Sequence, residues 1–142
     1  MIYFKKSDPW IFLSIAYAAG GQLASLDQII GTADGINHAI PNDDEIEEGF
    51  THLLQSNLIR LRGRKLGLTS SGIKLAKRCT RKSKYLLKQW TFLDELFKTE
   101  AYPQITQAIY KLESGEAHKA YEKYHKRFWK TYREIIKKEN VE

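Results

Sequence analysis

The chain has 142 residues and a net charge of +6, with 42% hydrophobic and 28% charged residues, a composition typical of one folded domain with or without an appendage. No run of about 18 apolar residues occurs, which excludes a membrane-spanning helix. The first residues do not resemble a signal peptide, so none is expected. The single cysteine, Cys79, excludes an internal disulfide framework and fits a reducing, cytoplasmic setting.

Charge is distributed unevenly along the chain. Residues 1–57 carry two basic and eight acidic residues, whereas residues 58–142 carry 21 basic and nine acidic ones. No acidic residue lies between Glu48 and Asp94. The 11 basic residues of this stretch, which we call the basic set, are Arg60, Arg62, Arg64, Lys65, Lys74, Lys77, Arg78, Arg81, Lys82, Lys84 and Lys88. Because solvated surfaces usually mix both signs, the basic set predicts a polyanionic partner, unless folding places it beside the acidic first third.

Two helices are predicted at the start of the chain. Asp8 is typical of an N-cap, and Pro9 is typical of a first helical position. The apolar residues 10–19 after them predict that the first helix is buried in the core. Ser25 is predicted to cap a second helix, which ends near Asn37.

A third helix, a hairpin and a fourth helix follow. Residues 43–57 predict the third helix, whose acidic first turn complements the helix dipole. Apolar and polar residues alternate in parts of residues 58–69, and Gly63 supplies a turn, which together predict a short β-hairpin. Thr69, or one of the two serines after it, is predicted to cap the fourth helix.

The end of the hairpin is predicted to run into the fourth helix through the sequence Leu-Thr-Ser-Ser-Gly-Ile-Lys-Leu, residues 68–75. This sequence and the order of the elements resemble the winged helix-turn-helix superfamily, in which the second wing strand often runs into a Leu-Thr-x-x-Gly-x-x-Leu helix start. Residues 33–41 are also similar to small uncharacterised bacterial winged-helix proteins. The resemblance covers residues 8–79 and implies a mainly α fold: a winged helix-turn-helix with a small β-hairpin wing, followed by C-terminal helices.

A winged-helix domain is therefore expected over residues 1–80, and a basic C-terminal helical extension over residues 81–142. The extension is predicted to hold a helix over residues 84–97, a shorter helix opened by Pro103, and a last helix over residues 116 to about 138. We expect it to pack on the first domain or to join two subunits of a homodimer. The side chains predicted to make these packing or dimer contacts are Leu86, Trp90, Phe97, Tyr121, Phe128 and Tyr132.

The last helix is predicted to be amphipathic, with an aromatic stripe on one face and lysines and arginines on the other. An aromatic stripe at helical spacing usually packs in a core or against a second subunit. The outer basic face could still follow a nucleic-acid backbone while the stripe is packed. A helix that lies on a membrane surface or in a partner's groove is a further alternative.

Two surfaces are candidates for binding nucleic acid. In winged-helix DNA binders the third helix usually enters the major groove, and its outward residues able to contact bases here are Thr51, His52 and Gln55. Carboxylates on the same face would be repelled by phosphate, so this mode of docking is doubtful. The better candidates lie on the wing, unless the wing is only a charged edge strand protected from aggregation. They are Arg60, Arg62, Arg64 and Lys65.

No catalytic motif is recognised, and an enzyme is not expected. His118, Glu122 and His125 have the spacing of a helical zinc site but lack an evident fourth ligand, so no metal is predicted. No cofactor or small-molecule substrate is predicted either. The expected function is a nucleic-acid-associated or transcription-regulatory protein that binds double-stranded DNA or another polyanion through a basic wing and tail. The alternative is a protein-interaction module whose acidic third helix docks a partner.

Overall fold

The computed structural model describes residues 1–141, and in this part of the chain it contains six helices and one two-stranded antiparallel hairpin. In chain order the elements are α1 (Asp8–Ala19), α2 (Leu26–Asn37), α3 (Asp43–Gln55), β1 (Ile59–Arg62), β2 (Lys65–Leu68), α4 (Ser70–Lys82), α5 (Leu86–Thr99) and α6 (Glu116–Val141). The predicted fold class, mainly α with a small β-hairpin wing after three helices, is confirmed. None of the helices within residues 1–141 combines the length and apolar character that a membrane crossing requires.

Helix α1 forms the centre of the core, as its apolar sequence predicts. Ile11, Phe12 and Ile15 are completely buried, and α1 contacts α2, α3, β2 and α5. The predicted N-cap is wrong, because Ser7 occupies that position and Asp8 is the first residue of the helix. The Asp8 carboxylate is buried instead, where it meets the backbone N–H of Lys5 and the imidazole of His52 on α3. A buried carboxylate needs such polar partners, because burial without them is costly in free energy.

The predicted caps of α2 and α4 agree with the structure. The backbone N–H of Ser25 donates to Gln28 Oε1 at 2.9 Å, which closes the start of α2. Thr69 Oγ1 accepts a hydrogen bond from the backbone N–H of Gly72 at 3.0 Å, which closes the start of α4. Helix α3 ends at Gln55 rather than at residue 57, since the chain leaves the helix into a left-handed conformation at Asn57 (φ 60°).

The hairpin, which we call the wing, has a defined register. Ile59 pairs with Leu68, and Arg62 pairs with Lys65 across a turn made by Gly63 at φ 63°. The start of α4 lies tightly against the wing, because a Cβ atom at Gly72 would be only 2.0 Å from the carbonyl oxygen of Leu58. The Leu-Thr-x-x-Gly pattern is therefore explained by a helix cap at the threonine and a backbone contact at the glycine.

Helices α5 and α6 pack on the N-terminal helices. On α5, Trp90 stacks on Trp10 with ring centroids 6.2 Å apart, and Phe97 stacks on Phe4 at 3.9 Å. Two of the side chains predicted to make packing or dimer contacts are thus engaged within the chain, and the third on α5, Leu86, is half-buried. Helix α6 crosses α2, where Tyr121 packs at the edge of the core.

The helix predicted to open at Pro103 does not form. Residues 101–113 carry neither helix nor strand, and we call residues 102–112 the strap because they run in extended form along α3. The apolar spacing of Ile105, Ile109 and Leu112 fits a helix, but the structure leaves Ile105 and Ile109 59% and 67% exposed. Four of the strap's backbone N–H groups, which a helix would pair internally, donate to α3 instead; they belong to Ile105, Thr106, Tyr110 and Leu112.

Candidate polyanion interface

The outward face of α3 is covered by the strap, residues 102–112. Thr51 Oγ1 accepts a hydrogen bond from the backbone N–H of Tyr110 at 2.9 Å. Gln55 Nε2 donates to the carbonyl oxygen of Ala108 at 3.0 Å. Two of the three side chains predicted to contact bases are therefore occupied by partners within the chain.

His52, the third predicted base-contacting residue, also faces the protein. Its Nδ1 atom lies 2.7 Å from Oδ2 of Asp8, which also accepts a hydrogen bond from the backbone N–H of Lys5 at 2.7 Å. The imidazole edge packs against Phe4, with ring centroids 6.3 Å apart. His52 thus joins α3 to the start of α1, and α3 presents none of its three predicted base-reading side chains to an incoming ligand.

The side chains of α3 near its N-terminus are acidic. Glu47 Oε2 accepts a hydrogen bond from the backbone N–H of Leu112 at 2.8 Å and so holds the end of the strap. Asp43, Asp44 and Glu48 are exposed. Phosphate approaching this end of α3 would meet negative charge, which opposes binding of a nucleic acid.

The wing presents three cations on one face. The register places Arg62 opposite Lys65 and Arg60 opposite Gly67, so Arg60, Arg62 and Lys65 share a face of the hairpin. All three are exposed, and none has a carboxylate within 4.0 Å among residues 1–141. Arg60 Nε donates to the carbonyl oxygen of Leu68 at 3.2 Å, which fixes the stem of this side chain where the wing meets α4.

Arg64, the fourth wing residue of the predicted site, has a different role. Its guanidinium pairs with Glu116, at 3.0 Å from Nε to Oε2, and donates to the hydroxyl of Tyr110 at 3.0 Å. The hydrogen bond with Glu116 raises the pKa of Arg64 and lowers the pKa of Glu116 below its ordinary value. Arg64 therefore links the strap and the start of α6 to the wing turn. The sequence alone did not distinguish this structural arginine from the other basic residues of the wing.

The rest of the basic set lies on α4, on α5 and, for Lys84, in the segment between them. One member, Arg78, pairs with Glu100 at 2.9 Å. The exposed members without a carboxylate within 4.0 Å in the described residues are Lys74, Lys77, Arg81, Lys82, Lys84 and Lys88. On α4 the spacing of Lys74, Lys77 and Arg81 places them on one helix face. With the three wing cations, nine of the 11 residues of the basic set have no carboxylate within 4.0 Å in the described residues, and we call these nine unopposed. Helix α4 begins at Ser70, directly after β2, so the cations of the wing and of α4 lie on adjoining elements.

Helix α6 uses part of its basic face to hold α2. Arg127 Nη1 donates to Oδ2 of Asp27 at 2.8 Å, and Lys123 Nζ lies 3.8 Å from the same carboxyl group. Burial alone would raise the pKa of Asp27, but the hydrogen bonds from Arg127 and Ser25 hold that pKa below its ordinary value. These cations are therefore structural, in contrast to the unopposed ones on the wing and α4.

Neither the His118, Glu122 and His125 set nor Cys79 forms a metal site in the part of the chain that the structure describes. His118 Nε2 lies 3.0 Å from Glu122 Oε1, whereas His125 Nε2 accepts a hydrogen bond from Trp129 Nε1 at 2.7 Å. No group of three or more histidine, cysteine, aspartate or glutamate side chains suited to a metal occurs in residues 1–141. Cys79 is buried, away from these histidines.

The thiol of Cys79 is expected to be unreactive in the folded chain. Burial raises its pKa from 9.0 to about 11, so the fraction of thiolate at pH 8 should fall roughly a hundredfold. Dithionitrobenzoate should therefore react slowly with the native chain and rapidly with the chain in guanidinium chloride. Because the pKa is higher in the folded state, the neutral thiol favours folding below pH 9 and loses that contribution as the pH rises through about 11. Rapid labelling of native protein at pH 8 would contradict this placement.

No protein-family model matches the chain, and neither a curated protein nor a solved structure matches it. The functional argument therefore depends on the chemistry of the surface itself.

Proposed function

We propose that this protein binds a polyanion, with double-stranded nucleic acid as its ligand, through the wing and the adjoining helix α4. The proposal includes a winged-helix plan in which the wing, rather than α3, makes the principal contact. Nine unopposed basic residues between positions 60 and 88, seven of them on the wing and α4, are the observation that carries it. Each phosphate that such residues neutralise releases a bound counterion, which drives association at low salt.

The chemistry of the wing supports phosphate contact. Arg60 and Arg62 are guanidinium groups on one face of a narrow hairpin, with Lys65 beside them. Guanidinium groups bind phosphate oxygens through paired hydrogen bonds and also suit a narrow minor groove, where the potential is most negative. Lys74, Lys77 and Arg81 on α4 would then follow the sugar–phosphate backbone from the groove outward.

Helix α3 is assigned a structural role in this proposal. Its polar side chains hold the strap, and its exposed N-terminal carboxylates would repel phosphate. Contact through the wing and α4 is governed by charge and groove shape, so the protein would bind with weak sequence preference. A regulatory role on DNA, with no catalytic step, fits this mode of binding.

A protein-interaction module is the second candidate. Its supporting observation is the exposed acidic end of α3, where Asp43, Asp44 and Glu48 have no cationic partner within 4.0 Å among the described residues. Such an end would dock a basic surface. Reversal of charge at Glu48 separates the two candidates, because it should leave wing-mediated binding intact and weaken capture of a basic partner.

Neutralising the wing is expected to weaken binding to duplex DNA. The triple variant Arg60→Gln, Arg62→Gln and Lys65→Gln removes up to three phosphate contacts, so the slope of log K against log salt should shrink by about 3 and affinity should fall roughly tenfold or more. Fluorescence anisotropy with a labelled duplex measures both quantities.

The matched control removes the same charge elsewhere. Lys5, Lys6 and Lys98 lie away from the wing, on the N-terminal segment and on α5, and their three glutamine substitutions lower the net charge equally. This control should keep the native salt slope. An equal loss in both variants would show that net charge alone drives binding, and an unchanged wing variant would remove the wing from the interface.

A further inference from the structure

The C-terminal half of α6 exposes an apolar face that is continuous with a packed one. Upstream, Tyr124 lies against Gly31 and donates a hydrogen bond to Asp34 at 2.6 Å, so this part of the helix is docked on α2. Beyond it, five large apolar side chains on one face are each 39–52% exposed. These residues, which we call the tail stripe, are Phe128, Trp129, Tyr132, Ile135 and Ile136. A patch of this kind on a folded chain marks an interaction surface.

The charges around the tail stripe indicate an acidic partner. Residues 116–141 carry eight basic and four acidic residues. Lys126 and Arg133, seven residues apart, lie on one edge of the stripe, and both are exposed without a carboxylate within 4.0 Å among residues 1–141. Pairing two copies of this helix side by side would bring like charges together, which opposes association.

The same chain offers a groove with an apolar floor and an acidic side formed by α3. It lies where the start of α1, α3 and α5 meet, and it has a volume of about 820 Å³, comparable to protein pockets that enclose a drug-sized ligand. Its apolar lining includes Trp10, Trp90 and Leu87. Leu87 is 70% exposed, so part of this apolar floor faces solvent in the single chain.

The rim of the groove complements the tail. The carboxylates of Glu45 and Glu48 line its α3 side, and the exposed Asp43 and Asp44 extend that acidic side at the same end of α3. Lys5, Lys6 and Asp94 also line the groove, and Asp94 is paired with Lys98 at 2.8 Å, so the negative charge open to a partner is that of α3. Glu48 makes no ion pair within the described residues. Aromatic side chains flanked by cations would therefore meet an apolar floor bordered by carboxylates.

We propose that the tail stripe of one copy docks in this groove of a second copy, and that the exchange is reciprocal. Two equivalent contacts close a symmetric dimer, which leaves neither tail stripe nor groove exposed. The 14 residues from Phe128 to Val141 form about 20 Å of helix, enough to extend from one body across a partner. This self-association is independent of the nucleic-acid surface on the wing and α4.

Complementary charge reversal tests the proposal. One variant carries Lys126→Glu and Arg133→Glu on the tail, and the other carries Asp44→Lys and Glu48→Lys on the α3 side of the groove, where neither carboxylate is in an ion pair within residues 1–141. The native chain should be a dimer by light scattering at about 100 µM, whereas each variant alone should be a monomer because its two contacts become repulsive. An equal mixture should form a dimer again, since both contacts in the mixed pair join opposite charges.

Controls separate this result from misfolding and from net charge. Lys77→Glu with Arg81→Glu changes the charge by the same amount on α4 and should leave the dimer intact. Trp129→Gln, which changes no charge, should weaken the dimer at least tenfold. Circular dichroism and Tm confirm that each variant folds.

Four results would overturn the proposal. The native chain could remain a monomer at about 100 µM, which excludes all but a very weak dimer. Both charge variants could stay dimeric, or their mixture could remain monomeric although both are folded. Binding of a monomeric native chain to phosphatidylserine vesicles, with loss of binding in Trp129→Gln, would assign the tail stripe to a membrane surface instead.

Discussion

The variant Gly72→Ala is expected to lose about 3 kcal/mol of unfolding free energy, with a fall in Tm of roughly 10 °C. Alanine at this position would place its Cβ 2.0 Å from the carbonyl oxygen of Leu58 and 3.3 Å from Cβ of Leu68. The first contact is with backbone at the start of the wing, which cannot move aside as a flexible side chain would. Helix α4 would have to withdraw from the wing, and the cap from Thr69 would be lost with it.

Gly35→Ala is the matched control for this prediction. Gly35 also lies in a helix, but a Cβ there meets nothing within 4 Å. Alanine at this position should raise the unfolding free energy by about 0.5–1 kcal/mol, because it removes conformational freedom from the unfolded chain. Urea unfolding of the two variants measures the contrast. Equal stability of both would mean that α4 does not lie against the wing as described.

The variant Tyr110→Ala is expected to lose about 3–5 kcal/mol and to detach the strap from α3. Tyr110 is fully buried, packs edge-on against Phe50 with ring centroids 4.8 Å apart, and accepts a hydrogen bond from Arg64. Burial and the nearby Glu116 raise the pKa of Tyr110 to about 12, so the ring is a neutral anchor at all ordinary pH values. Its removal would leave a cavity and separate the strap from the wing turn.

Tyr110→Phe provides the control, since it keeps the ring and loses only the hydroxyl. Its cost should be about 1 kcal/mol, the ordinary net value of a hydrogen bond. Hydrogen exchange at the strap should accelerate in Tyr110→Ala and stay near native in Tyr110→Phe. Duplex affinity should not rise in either variant, because α3 is acidic; a rise confined to Tyr110→Ala would show that the strap masks a recognition helix.

Most helices could be predicted from the sequence because their signals are local. Ser25 and Thr69 cap helices through residues three positions away, and the buried face of α3 follows the helical period. Helix α1 has a nearly continuous apolar run instead, which indicates burial on all sides. The hairpin was predictable for the same reason, since Gly63 and the flanking alternation lie within a few residues of each other. These elements agree with the structure to within two or three residues at most ends.

The strap could not be predicted in this way. Its apolar residues have a helical spacing, but burial alternates along it, with Thr106, Ala108 and Tyr110 turned toward the protein. The alternation of burial is visible only in the structure, and the β-branched Ile105 and Thr106 were the local sequence signal of an extended segment. Its hydrogen bonds join residues more than 50 positions apart, and no local pattern contains them.

The candidate interface was only partly accessible to sequence reasoning. The gap in acidic residues identified the basic set, and nine of its members are unopposed in the structure. Arg62 and Arg64 are the same residue type two positions apart, and no local pattern shows that only Arg64 meets Glu116, 52 residues away. Similarly, the carboxylates predicted on α3 suggested poor docking, but the strap that occupies Thr51 and Gln55 became visible only with the fold.

The most direct test of the central claim is the salt dependence of duplex DNA binding by the native chain. If the wing and α4 bind phosphates, log K should fall linearly with log salt, with a slope of about −3 or steeper between roughly 50 and 200 mM. A random-sequence duplex should bind nearly as well as any other. No binding at about 50 mM salt, or an affinity that does not change with salt, would contradict the assignment of this surface to a polyanion.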